Sequence, residues 1–292
     1  MSHLLSQLGE NAILQRILPG LPENAALLVG PGDDCAVVSR DEYWDTLLKT
    51  DVVVEGVHFT PDTPPPLIGR KALARALSDI AAMGGLPEHA LITFLIHPSR
   101  TLELLEGVYT GICSLAAQFG VSIAGGETSS LPYDGLVINV ALTGKVEKNR
   151  AILRSGGTPG DILCVSGPLG GSFPSGRHFS FTPRIELGRA LVQSPVRVKA
   201  MMDLSDGLGT DLPRLAKACG CSFEIDLASI PCHAGCSVQQ AISDGEDYEL
   251  LMAIDTHTCS AELCAQFGIT PIGQLVSGRG TSLPEGWQHF NA

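Results

Sequence analysis

The sequence predicts an α/β fold in which strands and helices alternate along two halves of similar size. Three features support this prediction. Short runs of β-branched and other apolar residues, typical of buried strands, alternate with longer segments of helical periodicity. Glycine and proline clusters separate these segments, as expected of tight turns. The segment 148–159 is a plausible boundary between residues 1–147 and residues 148–292.

In the first half, the apolar spacing predicts helices over residues 4–18, 67–83 and 102–119. Apolar runs between them predict strands over residues 25–29, 36–38, 52–54, 90–96, 121–124 and 136–146. The helix over residues 67–83 is nearly apolar all round, so we expect it to be buried on most sides. The proline-rich stretch TPDTPPP before it predicts a loop without helix.

In the second half, the same reasoning predicts strands over residues 161–166, 200–204, 222–226 and 248–254. Helices are predicted over residues 184–192, 208–219 and 261–267. Residues 167–183 are rich in glycine, proline and serine, which predicts a loop.

Composition excludes several classes of protein. The formal net charge of −12 argues against a nucleic-acid-binding surface, which needs a basic patch. No apolar run is long enough for a membrane span, and the N-terminus lacks the features of a signal peptide. Nine cysteines without paired CxxC motifs are typical of reduced thiols in a cytoplasmic protein. Cys232, His233 and Cys236 leave open a fragment of a metal site.

Acidic residues recur beside glycine, serine or threonine at the ends of predicted strands. These residues are Asp33, Asp34, Asp51, Glu127, Asp203 and Asp206. Asp79 lies instead inside the apolar helix, where a buried carboxylate needs a cation or hydrogen bonds. Each acid alone could hold a turn or cap a helix. Together they fit Mg²⁺, which binds a few carboxylates together with waters and phosphate oxygens.

The sequence lacks the glycine-rich P-loop that cradles phosphates in many nucleotide-binding proteins, because Gly144 and Lys145 are followed by Val146. Phosphate donors must then come from elsewhere. The candidates are the Gly125–Gly126 backbone, the glycine-rich loop 167–171 and Arg154. Arg154 could equally be a surface arginine that closes a turn.

Seven motifs and a late tryptophan together indicate a family. In chain order they are GDDCA, KTD followed by EGVHF, LSDIAAMG, GGETS, LRSGGTPGD, DLSDGL, GEDYELL and Trp287. From about Gly30 to Trp287 the chain resembles the thiamine-monophosphate kinase family, which shares a superfamily with aminoimidazole ribonucleotide synthetase and selenophosphate synthetase. The resemblance implies a two-domain fold of mixed α and β structure. Residues 1–147 would bind ATP and metal and form a homodimer through their sheets, and residues 148–292 would form the C-terminal domain.

The resemblance also implies a reaction, in which ATP phosphorylates thiamine monophosphate directly to give ADP and thiamine diphosphate. It assigns several Mg²⁺ ions to Asp34, Thr50, Asp51, Asp79, Glu127, Asp203 and Asp206. It assigns ATP to Gly126, Arg154 and Ser205, and the thiamine phosphate to His58, Glu246 and Trp287. The attacking group is a phosphate oxygen that is already anionic, so no catalytic side-chain base is expected.

This chain departs from the family pattern at three places, and two other functions stay open. Glu127 stands where the family usually has aspartate, Lys49 replaces a small hydroxyl residue, and the segment 171–183 is short. The first alternative is another ATP-using enzyme of the same superfamily. The second is a nucleotide-binding homologue without turnover.

Overall fold

The first half of the chain builds a six-stranded sheet, seen in a computed structural model that describes residues 9–284 and Gly286. The strand order is β1-β2-β3-β6-β4-β5, and β4 pairs with β5 in parallel while the other neighbours are antiparallel. The strands are β1 Leu27–Val29, β2 Ala36–Ser39, β3 Trp44–Val54, β4 Leu86–Ile96, β5 Ser122–Ser130 and β6 Leu136–Glu147.

Three helices accompany this sheet, namely α1 Gly9–Ile17, α2 Pro65–Ala82 and α3 Leu102–Phe119. The bounds of α3 agree with the prediction because both ends are capped locally. The Thr101 side chain accepts a hydrogen bond from the Leu104 N–H, and Gly120 ends the helix in a left-handed conformation. The loop prediction was wrong for the last two residues of TPDTPPP, because prolines fit the first turn of α2 without losing a hydrogen bond.

Helix α2 is the central element of the molecule. One side packs on the six-stranded sheet and on α3, and another contacts elements of the second half. Thirteen of its eighteen residues are buried, which confirms the expectation from its apolar pattern. Its contact with α3 needs glycine, since a Cβ on Gly69 or Gly111 would lie 1.9 Å from a carbonyl oxygen of the other helix. The residues of α2 are thereby fixed between the two halves.

The second half forms a five-stranded antiparallel sheet with the order β8-β10-β7-β11-β9. Its strands are β7 Ile162–Val165, β8 Val198–Asp203, β9 Ser222–Ile225, β10 Leu250–Ile254 and β11 Thr270–Val276. Its helices are α4 Ser172–Ser175, α5 Ile185–Gln193, α6 Leu208–Ala218, α7 Val238–Ser243 and α8 Ala261–Phe267. All five residues of β10, which lies between β8 and β7, are buried.

Several elements differ from the prediction. The segment GGETSS belongs to β5, because pairing with β4 extends that strand to Ser130. Two elements, β11 and α7, were missed. Pro271 and Gly273 conceal the strand character of β11, and α7 has only six residues. A short helix, α4, and a 3-10 helix lie in the predicted loop 167–183. In the described part of the chain no helix has the length and apolarity needed to cross a bilayer.

Candidate active site

Three aspartates from distant parts of the sequence meet where the two halves of the chain face each other. Asp34 precedes β2, Asp79 lies in α2, and Asp203 ends β8. One carboxylate oxygen of each lies within 4.8 Å of those of the other two, and all three side chains are buried. Burial, reinforced by the charge of Asp34, raises the pKa of Asp203 to about 6. Such a group of carboxylates calls for compensating positive charge.

Two basic side chains supply part of that charge. Lys49 Nζ donates a hydrogen bond to Asp79 Oδ1 at 2.7 Å, and Arg154 Nη2 donates to Asp34 Oδ1 at 2.5 Å. The hydroxyl of Ser78 donates to Asp203 at 2.6 Å. Three carboxylates therefore face two cations.

One carboxylate oxygen of this group lacks a hydrogen-bond donor among the described residues. Asp34 Oδ2 is buried and has no hydrogen-bond partner among the described residues. A buried oxygen without a donor is unfavourable, and carboxylate oxygens are the ligands that Mg²⁺ prefers. The donor set of Asp34, Asp79 and Asp203 therefore fits a hard divalent cation.

Two further predicted metal ligands lie in the same cleft, which has a volume of about 730 Å³ and is also lined by Lys49, Asp79, Arg154 and Asp203. Asp51 accepts a hydrogen bond from Arg75 Nε at 3.1 Å. Asp206 accepts one from Arg214 Nη1 at 2.5 Å. Each of these two acids thus faces the cleft beside an arginine.

The structure does not bring the side chains of Thr50 and Glu127 into this group. Successive residues of a strand point to opposite faces, so Thr50 points away from Asp51. Its hydroxyl donates to Asn139 Oδ1 at 2.9 Å. Glu127 is exposed on β5, where its carboxylate accepts the N–H of Thr128 at 3.0 Å. Neither residue lines the cleft that holds the aspartates.

Of the three residues predicted to bind ATP, two line the cleft and one does not. Arg154 and Ser205 line the cleft. Gly126 lies in β5, opposite Ile92 of β4. A Cβ at this position would lie 1.7 Å from the Ile92 carbonyl oxygen, so the pairing of the two strands requires glycine here.

A smaller pocket of about 280 Å³ opens beside the acidic cleft. The two share five lining residues, so they are continuous. These are His58, Arg75, Ser205, Asp206 and Tyr248. The pocket adds Val57, Phe173, Asp244 and Glu246, and so combines apolar surface with groups of both charges. This composition suits an organic ligand that also carries charge.

His58 presents a neutral imidazole at the junction of cleft and pocket. It follows β3 in a tight turn, and its Nδ1 accepts the N–H of Val54 at 3.1 Å. Burial, together with the charges of Arg75 and Lys71, lowers the pKa of His58 to about 4. A neutral ring that accepts at Nδ1 carries its proton on Nε2, so the second nitrogen is a hydrogen-bond donor.

Glu246 is held by Lys71, a residue that the sequence analysis missed. Lys71 lies on α2 and is fully buried, and its Nζ is 2.6 Å from Glu246 Oε1 and 2.8 Å from the His58 carbonyl oxygen. Burial alone would raise the pKa of Glu246, but His178 and Lys71 outweigh it and bring that pKa to about 2. The available signal was a lysine in a helix that the sequence predicts to be buried on most sides.

Aromatic side chains complete the pocket. Phe173 and Tyr248 line it, and the Tyr248 ring stacks on Phe181 with centroids 4.1 Å apart. Trp287, which the resemblance assigns to the thiamine phosphate site, lies outside the described residues. Phe173 belongs to the segment predicted as a loop, so nothing in its immediate sequence identified it.

The cysteine pattern left open by the sequence does not form a metal site. Cys232 and Cys236 donate hydrogen bonds to the carbonyl oxygens of Ile230 and Gly170. Among the described residues they form no metal-ligand group with His233. All nine cysteines of the chain are free thiols.

Comparison with known proteins places this geometry in a family. Residues 32–146 match the family model for the N-terminal domain of AIR synthase related proteins, and residues 148–283 match that for the C-terminal domain. A thiamine-monophosphate kinase of Rhodopirellula baltica is 34% identical over 286 residues, covering 93% of this chain and 88% of the relative. The chain belongs to the thiamine-monophosphate kinase family.

Further members of this family support the assignment. The thiamine-monophosphate kinase of Bacillus subtilis is 32% identical, with 82% of this chain and 81% of the relative covered. A solved structure described as "AaThiL complexed with AMPPCP and TMP" superimposes with a TM-score of 0.87 at 29% identity and covers 99% of both chains. The two-domain fold of mixed α and β structure expected from the sequence is thereby confirmed.

Proposed function

We propose that this chain transfers the γ-phosphate of ATP to thiamine monophosphate, giving ADP and thiamine diphosphate. The observation that carries the proposal is the continuity of the acidic cleft with the pocket beside His58 and Glu246. One compartment suits a charged nucleotide phosphate, and the other suits an organic phosphate. The similar structure described with AMPPCP and TMP supports the same pair of ligands.

Asp34 and Asp203 are the proposed ligands for Mg²⁺ ions, in the cluster that Asp79 completes, with Asp51 and Asp206 at the edge of the same cleft. Bound Mg²⁺ supplies positive charge that lets two anionic phosphate groups approach each other. Arg154 and Ser205 are placed to contact the nucleotide. The expectations for the side chains of Thr50 and Glu127, and for a direct contact of Gly126, have no support from the cleft of this chain.

The acceptor substrate is proposed to lie in the smaller pocket. The Nε2–H of His58 and the guanidinium of Arg75 would bind its phosphate, and Glu246 would fix the organic part. Phe173 offers an aromatic face, which suits a cationic thiazolium ring. No side chain has to remove a proton, since the attacking phosphate oxygen is already anionic. These residues therefore act by positioning the acceptor in line with the γ-phosphate.

We further propose that the chain acts as a cytoplasmic homodimer. The face of the six-stranded sheet opposite α2 carries apolar side chains with large exposed fractions, among them Leu48 (43%), Val52 (39%) and Leu91 (48%). Such a face is typical of a surface that a second copy covers. Free thiols at all nine cysteines suit a reducing compartment. A sedimentation mass equal to one 30.7 kDa chain would contradict the dimer.

The reaction is tested by incubating the purified protein with ATP, MgCl₂ and thiamine monophosphate and separating the thiamine phosphates by chromatography. We expect thiamine diphosphate and ADP in equal amounts. ATP consumption without thiamine diphosphate would instead indicate another ATP-using enzyme of the superfamily. Nucleotide binding without any ATP consumption would indicate a homologue without turnover. Either result contradicts the proposal.

A further inference from the structure

Lys49 is an unusual neighbour for a metal-binding carboxylate. It lies on β3 with its side chain directed towards α2, and its Nζ is 2.7 Å from Asp79 Oδ1. The lysine side chain is 21% exposed and the aspartate side chain 9% exposed, so water screens the pair only in part. The two side chains therefore form a partly buried ion pair.

The position of this ammonium matters for the charge of the whole cluster. Asp34, Asp79 and Asp203 carry three carboxylates, while Lys49 and Arg154 carry two positive charges. Within this cluster, Asp34 has the one fully buried carboxylate oxygen that lacks a hydrogen-bond partner among the described residues. Asp79 already has its cation in the polypeptide itself. A divalent ion that used Asp79 would have to displace Lys49 or lie beside a like charge.

We infer that Lys49 is a built-in cation of the phosphoryl-transfer site and occupies the place beside Asp79 that a divalent ion would otherwise take. This inference rests on the proposed function, because that function makes the cluster a phosphoryl-transfer site. Its test measures metal binding alone and does not depend on that function. A tethered ammonium neutralises the carboxylate and donates hydrogen bonds, but it carries one positive charge instead of two and forms no coordination bonds. The chain would then bind fewer divalent ions than the same carboxylates would bind without Lys49.

Removing the charge should release Asp79 for metal. In Lys49→Met the side chain keeps much of its length while the cluster loses one positive charge. Metal affinity at the cluster should rise by a factor on the order of ten or more, because a unit charge within a few ångströms is removed from a partly buried site. Lys49→Arg keeps the charge and should bind metal as the native protein does.

The test is a Mn²⁺ titration of the full chain without nucleotide, with free Mn²⁺ measured by electron paramagnetic resonance. We expect Lys49→Met to bind one more Mn²⁺ per chain than the native protein, or to bind its tightest ion about tenfold more strongly. Lys148→Met is the matched control. Lys148 forms an ion pair of the same 2.7 Å length with the buried Asp45, but neither residue lines the cleft. This control should titrate as the native protein does.

A second variant confirms where the added ion binds and guards against misfolding. In Lys49→Met combined with Asp79→Asn, the carboxylate is also removed, so the number and affinity of bound Mn²⁺ should return to the native values. Unchanged Mn²⁺ binding in Lys49→Met, with native circular dichroism, would overturn the inference. So would a gain that survives the loss of the Asp79 carboxylate.

The titration contains neither ATP nor thiamine monophosphate, so its result is independent of the kinase assay. An added Mn²⁺ site in a protein that forms no thiamine diphosphate would support the role of Lys49 beside Asp79 and refute the proposed reaction. Thiamine diphosphate formation with identical Mn²⁺ binding in native and Lys49→Met protein would support the proposed reaction and refute the role of Lys49 beside Asp79.

Discussion

Asp34→Asn is expected to reduce kcat/KM for thiamine diphosphate formation by about a thousandfold, which corresponds to about 4 kcal/mol of transition-state stabilisation. Asp34 is the one member of the carboxylate cluster with an unpartnered buried oxygen among the described residues. Asparagine keeps the shape of the side chain but lacks the negative charge that attracts a divalent ion. The measurement is a steady-state assay at several Mg²⁺ concentrations.

Asp45→Asn is the matched control for this change. Asp45 is also a buried aspartate, and it binds Lys148 Nζ at 2.7 Å and the Asn149 N–H at 2.9 Å, but it does not line the cleft. Its replacement should lower stability and leave kcat/KM within a few-fold of the native value. Equal losses of activity in the two variants would show that disturbed folding, and not a lost metal ligand, causes the effect of Asp34→Asn.

Lys71→Met is expected to lower the free energy of unfolding by about 3 kcal/mol, because it leaves the Glu246 carboxylate without the hydrogen-bond donor that Lys71 supplies. Lys71 Nζ lies 2.6 Å from Glu246 Oε1, 2.8 Å from the His58 carbonyl oxygen and 2.7 Å from His178 Nδ1. These contacts join α2 to three segments, namely the turn after β3, the 3-10 helix that contains His178 and the loop that contains Glu246. The measurement is urea unfolding followed by circular dichroism.

Two controls separate the ion pair from simple packing. If the uncompensated carboxylate causes the loss, Lys71→Met combined with Glu246→Gln should recover part of the stability. A double variant as unstable as the sum of the single ones would contradict this explanation. Glu246→Gln alone should raise the KM for thiamine monophosphate more than it lowers kcat, since Glu246 lies in the proposed acceptor pocket.

The contribution of Lys71 to the free energy of unfolding is expected to depend on pH. Burial lowers its pKa from 10.5 to about 8, so between these values the unfolded chain binds a proton that the folded chain does not. Stability from this group therefore rises with pH over that range. The difference in unfolding free energy between native protein and Lys71→Met should grow from pH 8 to pH 10.5. A constant difference would contradict the lowered pKa.

The sequence predicted the elements whose ends are determined locally. Helix α3 was predicted with correct bounds because Thr101 and Gly120 cap it within its own sequence. Strands β5 and β11 were shortened or missed because pairing with distant strands determines their extent. A glycine-rich segment such as GGETSS becomes a strand only when β4 lies beside it.

The residues of the site were also predictable only in part from the sequence. Asp34, Asp79 and Asp203 were identified as acids in characteristic surroundings, and the fold brings them together. Lys49 and Arg154 were also singled out from the sequence. Their pairing with Asp79 and Asp34 was not predictable, since it depends on the packing of β3, α2 and the second half. The alternation of side chains along a strand already places the Thr50 side chain on the face opposite to its neighbour Asp51.

We propose above all that Asp34 and Asp203 hold the divalent ions of a phosphoryl-transfer site, while Lys49 neutralises Asp79 in the same cluster. The most direct test is anomalous diffraction at the manganese edge from crystals of the protein grown with Mn²⁺ and AMPPCP. The account predicts a peak within about 2.2 Å of carboxylate oxygens of Asp34 and Asp203, with Lys49 still beside Asp79. Manganese bound only at other acids, with the cluster unchanged, would contradict it.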